Sequence, residues 1–217
     1  FLCCLLLADR GELDLHAPVA TYWPEFAANG KEQVATRHIM GHTAGLSGWD
    51  EPLDVRDLLD HDKLVGLHAA QAPWWEPGSA SGYHAISQGY LLGEIVRRVA
   101  GRSLGTFFAD EIAGPVGADF HIGTGADHDD RVAHVIPPED PLGADGAFSP
   151  DSLAYRTLTN PMMDASFSST KEWRRAGIPA AGGHGNARSV AAIHTLTANA
   201  GSVNGVQIIS HEGLERN

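Results

Sequence analysis

Between Trp74 and Gly101 the sequence sets a turn directly before a strongly patterned helix, and this junction constrains the fold more than any other stretch. Trp75-Glu76-Pro77-Gly78 has turn chemistry, because proline fixes φ and glycine tolerates positive φ. From Ile86 onward, Leu92, Ile95, Val96 and Val99 recur at i, i+3, i+4 and i+7, with Gly101 placed to end the helix. Tyr83 therefore falls where a loop is pinned against a helix start. The residues alone leave two roles open for it. It is either a packed aromatic with its hydroxyl tied to the backbone, or a phenol placed to move a proton.

The remaining signals are mostly helical. Phe1 to Ala8 is wholly apolar and ends in Asp9-Arg10-Gly11, which reads as the last turns of a buried helix with a glycine stop. The run is too short to span a bilayer and lacks a basic leader. Thr36 is expected to cap a short helix, Arg37 to His42, closed by Gly45. Asp54 to Ala69 has helical spacing through Val55, Leu58, Leu59, Leu64 and Leu67. Ser103 is expected to cap a helix that buries Phe107, Phe108 and Ile112, and Asn186 one that ends at Gly201. Val203-Asn204-Gly205-Val206 is a tight-turn signal leading into a short strand. Residues 119–185 are rich in Gly, Pro, Asp and Ser and are expected to be a long loop-rich insertion. The fold class read from this pattern is mainly α with few short strands.

Composition narrows the partners. The 217 residues suffice for one large domain, and a net charge of −12 without a basic stripe argues against nucleic acid and anionic membranes. The two cysteines, Cys3 and Cys4, are adjacent and cannot bridge without strain, which favours a reducing, cytoplasmic setting slightly.

Several constellations carry possible chemistry. His38 and His42 stand at i, i+4, yet no HExxH glutamate lies between them and no third ligand is evident, so structural hydrogen bonds are expected and metal is not. Asp127-His128-Asp129-Asp130 lacks the oxygen spacing of a calcium loop. A G-x-S-x-G elbow is absent. Ser168-Ser169-Thr170-Lys171 matches Ser-x-x-Lys, which on a helix would set an amine one turn from a hydroxyl, but two fixed positions match readily by chance. Tyr83 is the better candidate.

Four segments in order, "LLLADRGELDLHAPVATYWPEF", "VATRHIMGHTAGL", "WEPGSASGYHAISQGYLLGEIVRRVAGRSL" and "IPAAGGHGNARSVAAIHTLTANAG", resemble the serine β-lactamase and penicillin-binding-protein-like superfamily. The nearest branch is that of the class C β-lactamase-type esterases, the family VIII carboxylesterases. The resemblance covers most of the chain and is weakest from Asp127 to Ala176. It implies the helical part of an α/β fold, most of whose antiparallel sheet is missing from these residues, as one partial domain over residues 1–217. Such a domain would leave an apolar face open to self-association.

That family uses a Ser-x-x-Lys at the start of a buried helix, a Tyr-x-Asn-like motif and a Lys/His-Thr/Ser-Gly-like strand. Tyr83-His84-Ala85 matches the second, with alanine where asparagine is common, a departure that counts against efficient β-lactam turnover. The first motif is expected upstream of Leu7 and the third beyond Asn217, so the chain is expected to be a fragment, inactive by itself. Ser168 and Lys171 lie on the wrong side of Tyr83 in chain order to match the nucleophile motif.

The resemblance implies a carboxylesterase acting on a small ester or β-lactam-like substrate through an acyl-serine, without a cofactor. Tyr83 would shuttle the proton, while Trp75 and His84 would contact substrate. A non-catalytic ligand-binding or self-associating module is the alternative, and a metal-dependent hydrolase using His38 and His42 a weaker one.

Overall fold

The computed structural model describes residues 1–139 and 148–215. Its helices surround one apolar core whose centre is helix α1, Leu2–Asp9. Cys3 to Leu7 are all buried there, and both cysteines are free thiols. Burial of this kind is worth about 1.5–3 kcal/mol per leucine-sized side chain. Two 3₁₀ turns, Val19–Thr21 and Pro24–Ala27, lead to α2, Thr36–Met40. The cap of α2 is not the expected threonine. The Nδ1 of His38 accepts the backbone N–H of Ala35, and Thr36 is buried inside the first turn.

The stretch read as one helix from Asp54 is two elements, a 3₁₀ turn at Val55–Leu59 and α3 at His61–Ala70. Asp60 divides them, because its carboxylate accepts the N–H of Lys63 and starts a new helix. The far end of α3 is capped by a lysine. Lys31, 0% exposed, donates from Nζ to the carbonyls of Ala28, at 2.6 Å, and Ala69, at 3.1 Å, and also to that of Gln71. Its ammonium lies over the Phe26 ring, and burial lowers its pKa. Methionine at position 31 would keep the stem and strand those carbonyls. Lys31→Met is expected to cost about 3 kcal/mol, which a shift of about 6–12 °C in Tm would register. A shift under about 2 °C would show that the cap contributes little.

Helix α4, Ser87–Ala100, carries the expected apolar face, with Leu91, Leu92, Ile95 and Val96 buried and Gly101 closing it in the left-handed region. Within that face sits Glu94, its side chain 0% exposed, held by Arg97, Arg98 and His61. Burial opposes its ionisation, but the hydrogen bonds from His61, Arg97 and Arg98 prevail and hold its pKa at about 2. Arg98 also reaches Glu25 and lies over Trp23, so one buried carboxylate fastens α3 and the Pro24 turn to α4.

Ser103 caps α5, Leu104–Phe108, which runs on through a π-type turn at Ala109–Ala113 into α6, Gly114–Val116. Residues 119–185 hold more regular structure than their composition suggests; of them, 140–147 lie outside the described residues. Strand β1, Phe120–Ile122, pairs antiparallel with β2, Gly183–Gly185, so the stretch leaves and rejoins the body at one point. Between them come a 3₁₀ turn at Ala126–Arg131, α7 at Leu153–Thr159, a 3₁₀ turn at Ala165–Ser169 and α8 at Lys171–Ala176.

Asn186 caps α9, Ala187–Ala198. Strands β3, Ser202–Val203, and β4, Val206–Gln207, form a hairpin whose Asn204 and Gly205 both have positive φ. The last helix, α10, His211–Glu215, packs on α1, where Asp9 accepts the N–H and hydroxyl of Ser210. Beyond these two small two-stranded sheets, the described residues hold only isolated bridges, Pro18 with Ala35 and Thr159 with Met162. No described helix is long and apolar enough to cross a membrane.

Candidate active site

Two segments, residues 41–49 after α2 and residues 73–86 before α4, are laced into one platform. Trp74 N–H donates to the Gly45 carbonyl at 2.7 Å, Gly78 N–H to Thr43 at 2.9 Å and Gly82 N–H to His42 at 3.0 Å. Gly45 has a φ of +76°, and an added Cβ there would stand 2.6 Å from the Trp75 carbonyl oxygen. Both the turn and the close approach of the segments require glycine.

Histidines complete the lacing. The N–H of His84 donates to Nδ1 of His42, and Nε2 of His84 accepts the N–H of Leu46, each at 3.1 Å. Nδ1 of His84 donates to the Gly82 carbonyl at 2.6 Å, which settles its neutral tautomer. Burial lowers its pKa to about 4; the Gly82 bond opposes that shift and the charge of His42 adds to it. Burial also lowers the pKa of His42, and burial followed by the charge of Arg37 that of His38.

Tyr83 projects from this platform, 68% exposed, its ring centroid 5.2 Å from that of His42. Among the described residues its hydroxyl has no hydrogen-bond partner. It borders a cavity of about 820 Å³ shared with Ser47, Trp49, Ile86, Leu158 and Met162. The far wall belongs to the 119–185 stretch and is fixed to the platform. Arg156 on α7 pairs with Asp50 at 2.7 Å and lies 4.0 Å over the Trp74 ring. The Thr157 hydroxyl meets that of Ser47 at 2.9 Å. Asn160 donates to the carbonyls of Trp49 and Glu51 and accepts the N–H of Leu53. A largely apolar cavity whose lining also includes the polar residues Ser47, Glu139, Asp164 and Ser166, with the Tyr83 phenol at its border, suits a small organic substrate and a proton transfer.

The other residues singled out in the sequence fall differently. His84 is 1% exposed with both ring nitrogens engaged, so it supports the platform from within and presents no free polar atom to a ligand. Trp75 donates from Nε1 to the Ala80 carbonyl and stands edge-on to His84, 5.9 Å between centroids. Ser168 lies in a 3₁₀ turn and donates to the Ala165 carbonyl, while Lys171 begins α8 with its side chain 75% exposed and its Nζ 3.9 Å from Asp129. The intervening Thr170 is the cap of α8, so no single helix carries serine and lysine on one face.

His38 and His42 do not share a helix face either, since α2 ends at Met40 and His42 has a φ of +59°. Each makes a structural hydrogen bond through Nδ1. Among the described residues no three His, Cys, Asp or Glu side chains are grouped to hold a metal ion. A second cavity of about 710 Å³ lies between α4, α5 and β1. Its cations Arg97 and Arg175 are already paired, with Glu94 and Asp129.

The family model described as Beta-lactamase matches residues 2–213. The chain belongs to the beta-lactamase family. It is 37% identical to the esterase/beta-lactamase LipL of Mycobacterium tuberculosis, over 97% of this chain and 52% of that protein. With the esterase EstB of Burkholderia gladioli it shares 32% identity over 54% of this chain and 33% of that one.

Among solved structures it resembles a family VIII carboxylesterase, with a TM-score of 0.88 and 40% identity over 99% of this chain and 56% of that one. It also resembles a penicillin-binding protein homolog from Caulobacter crescentus, with a TM-score of 0.82, 35% identity and coverage of 99% and 57%. The chain thus spans about half the length of LipL and of these two solved structures. What it holds is the helical part of the beta-lactamase-like fold with little of its sheet, and the platform that carries Tyr83 lies within that part.

The sequence alone did not reveal the residues that build the cavity wall. Arg156, Thr157 and Asn160 meet partners more than 100 positions away, and no local pattern encodes such a meeting.

Proposed function

We propose that this chain is part of a serine hydrolase of the beta-lactamase family that cleaves small carboxylic esters. Tyr83 is the group that moves the proton. The observation that carries the reading is the free, exposed Tyr83 hydroxyl at the rim of an apolar cavity, on a platform locked from behind by two neutral histidines.

In the reaction a serine oxygen forms a bond to the ester carbonyl carbon; its proton passes to the Tyr83 oxygen as the Tyr83 hydroxyl hands its own to the lysine of the Ser-x-x-Lys, from which a proton returns by the same route. The tetrahedral adduct then expels the alcohol, whose oxygen receives that proton, and leaves an acyl-serine. Water repeats the sequence and releases the acid. The nucleophile we assign to a Ser-x-x-Lys of the family's kind outside these 217 residues. Ser168 is the weaker candidate, because Lys171 is not placed to take its proton. The relatives' names, esterase and esterase/beta-lactamase, support the substrate class. The alanine at position 85 favours ester over β-lactam.

The test is turnover of p-nitrophenyl butyrate by the full-length protein, with mass spectrometry to locate the acyl group. Robust hydrolysis with an acyl-serine upstream of Tyr83 is expected, while a polypeptide of residues 1–217 should do no better than background protein. Activity in that polypeptide abolished by Ser168→Ala would overturn the assignment of the nucleophile.

A further inference from the structure

We propose that His42 is the positioning residue for Tyr83, holding it by tying the peptide groups on both sides of it. This rests on the reading of Tyr83 as the proton-moving group. Gly82 N–H, on one side, donates to the His42 carbonyl at 3.0 Å, and His84 N–H, on the other, donates to His42 Nδ1 at 3.1 Å. One residue therefore holds both flanks of the tyrosine, and its ring also packs on the Tyr83 ring.

The backbone of His42 shows how specific the arrangement is. Its φ of +59° lies in the left-handed region, which is uncommon outside glycine and which Asn, Asp and His enter more readily than other residues. That geometry turns the His42 carbonyl and imidazole toward the same short segment. Any residue there supplies the carbonyl; the bond to His84 N–H needs a side-chain acceptor. His84 returns the link by accepting Leu46 N–H, so each segment lends the other one imidazole. Gln88, in the first turn of α4, donates to the carbonyls of Ile39 and Met40 and so ties α4 to the end of α2 just before His42.

Consequently Tyr83 owes its place to a residue 41 positions upstream that does not itself touch substrate. Without the imidazole acceptor the Tyr83 peptide keeps one tether of two, and the phenol explores positions from which the proton transfer is slow. The expected consequence is a loss in kcat rather than in binding. A misplacement of about 1 Å is enough to cost about 100-fold.

The test compares His42→Gly and His42→Asn in the full-length protein. Glycine suits the positive φ and removes ring and acceptor; asparagine also suits it and restores a shorter acceptor. For p-nitrophenyl butyrate, His42→Gly is expected to lower kcat about 10–100-fold with KM changed less than about 3-fold, and His42→Asn to fall between it and the unmodified protein. Because the effect runs through the phenol, Tyr83→Phe combined with His42→Gly should lose no more than Tyr83→Phe alone. The amide of His84 should exchange with solvent at least about tenfold faster in His42→Gly.

Losses that multiply in the double variant would overturn the inference. So would unchanged protection of the His84 amide in both single variants, whatever the activity. Faster exchange together with a harmless Tyr83→Phe would leave the clamp standing and overturn the role of the phenol.

Discussion

Tyr83→Phe in the full-length protein should lower kcat for a short p-nitrophenyl ester by about 10²–10⁴-fold, the range over which a positioned acid–base group contributes. The substitution is unusually clean here. The hydroxyl has no hydrogen-bond partner among the described residues and the ring is 68% exposed, so removing one oxygen strands nothing. Phenylalanine keeps the ring contact with His42, 5.2 Å between centroids, and the cavity loses only one hydroxyl from its border. Stability should therefore stay within about 0.5 kcal/mol, as for an ordinary surface change. KM should change little, since in the proposed reaction the phenol acts on a proton in flight rather than on bound ester. Measured kcat within about threefold of the unmodified protein would remove Tyr83 from the chemistry.

How much of this was legible depended on whether the deciding contacts are local. Helix α4 was readable because its apolar period and its Gly101 stop lie within fifteen residues, and α9 because Asn186 caps it from the adjacent position. The same signals exist for α7 and α8, where Ser152 and Thr170 accept the N–H groups of Tyr155 and Trp173. They were hidden by a Gly- and Pro-rich background. Asp60 misled in the opposite direction. A cap residue inside a periodic run looks like a helix interior until its side chain is seen to bond Lys63 N–H.

The site divides along the same line. Tyr83 could be singled out because turn chemistry and helix start flank it. The pairing of His42 with His84 spans 42 positions and turns on a left-handed φ at a non-glycine residue, which no pattern announces. A spacing of four residues suggested instead that His38 and His42 share a helix face. The helix ends too soon for that, and each imidazole caps a different piece of backbone. His84, beside Tyr83 in the sequence, is buried in the fold. Its two nitrogens are spent on the backbone, and its contribution to the site is rigidity.

Acid should destabilise this protein well before its carboxylates titrate, and the cause is buried histidine. His68 on α3 is 0% exposed, its ring 4.6 Å from that of Trp49, and neither nitrogen has a hydrogen-bond partner among the described residues. Burial lowers its pKa from 6.5 to about 3, with smaller contributions from the charges of His84 and Lys31; His84 itself falls to about 4. Both are bases with folded pKa values below the unfolded one, so in acid the unfolded chain binds more protons than the native one. Their stabilising contribution is complete above pH 6.5 and is lost progressively as pH falls toward 4. At pH 5 each costs on the order of 2 kcal/mol, so together they cost about 4 kcal/mol relative to pH 7.5.

Glu94, held at about 2, contributes a further loss only below about pH 4.5, which leaves the window from 6.5 to 5 to the histidines. Urea midpoints at pH 7.5, 6.5 and 5 measure the effect. His68→Leu replaces an unpartnered imidazole with an apolar group of similar size, so it should remove about half of the pH slope and leave the variant more stable than the unmodified protein at pH 5. A midpoint independent of pH between 7.5 and 5 would show that these imidazoles are not neutral and buried in solution. The platform beneath Tyr83 would then need another source of rigidity, because His84 accepts the Leu46 N–H only while its Nε2 carries no proton.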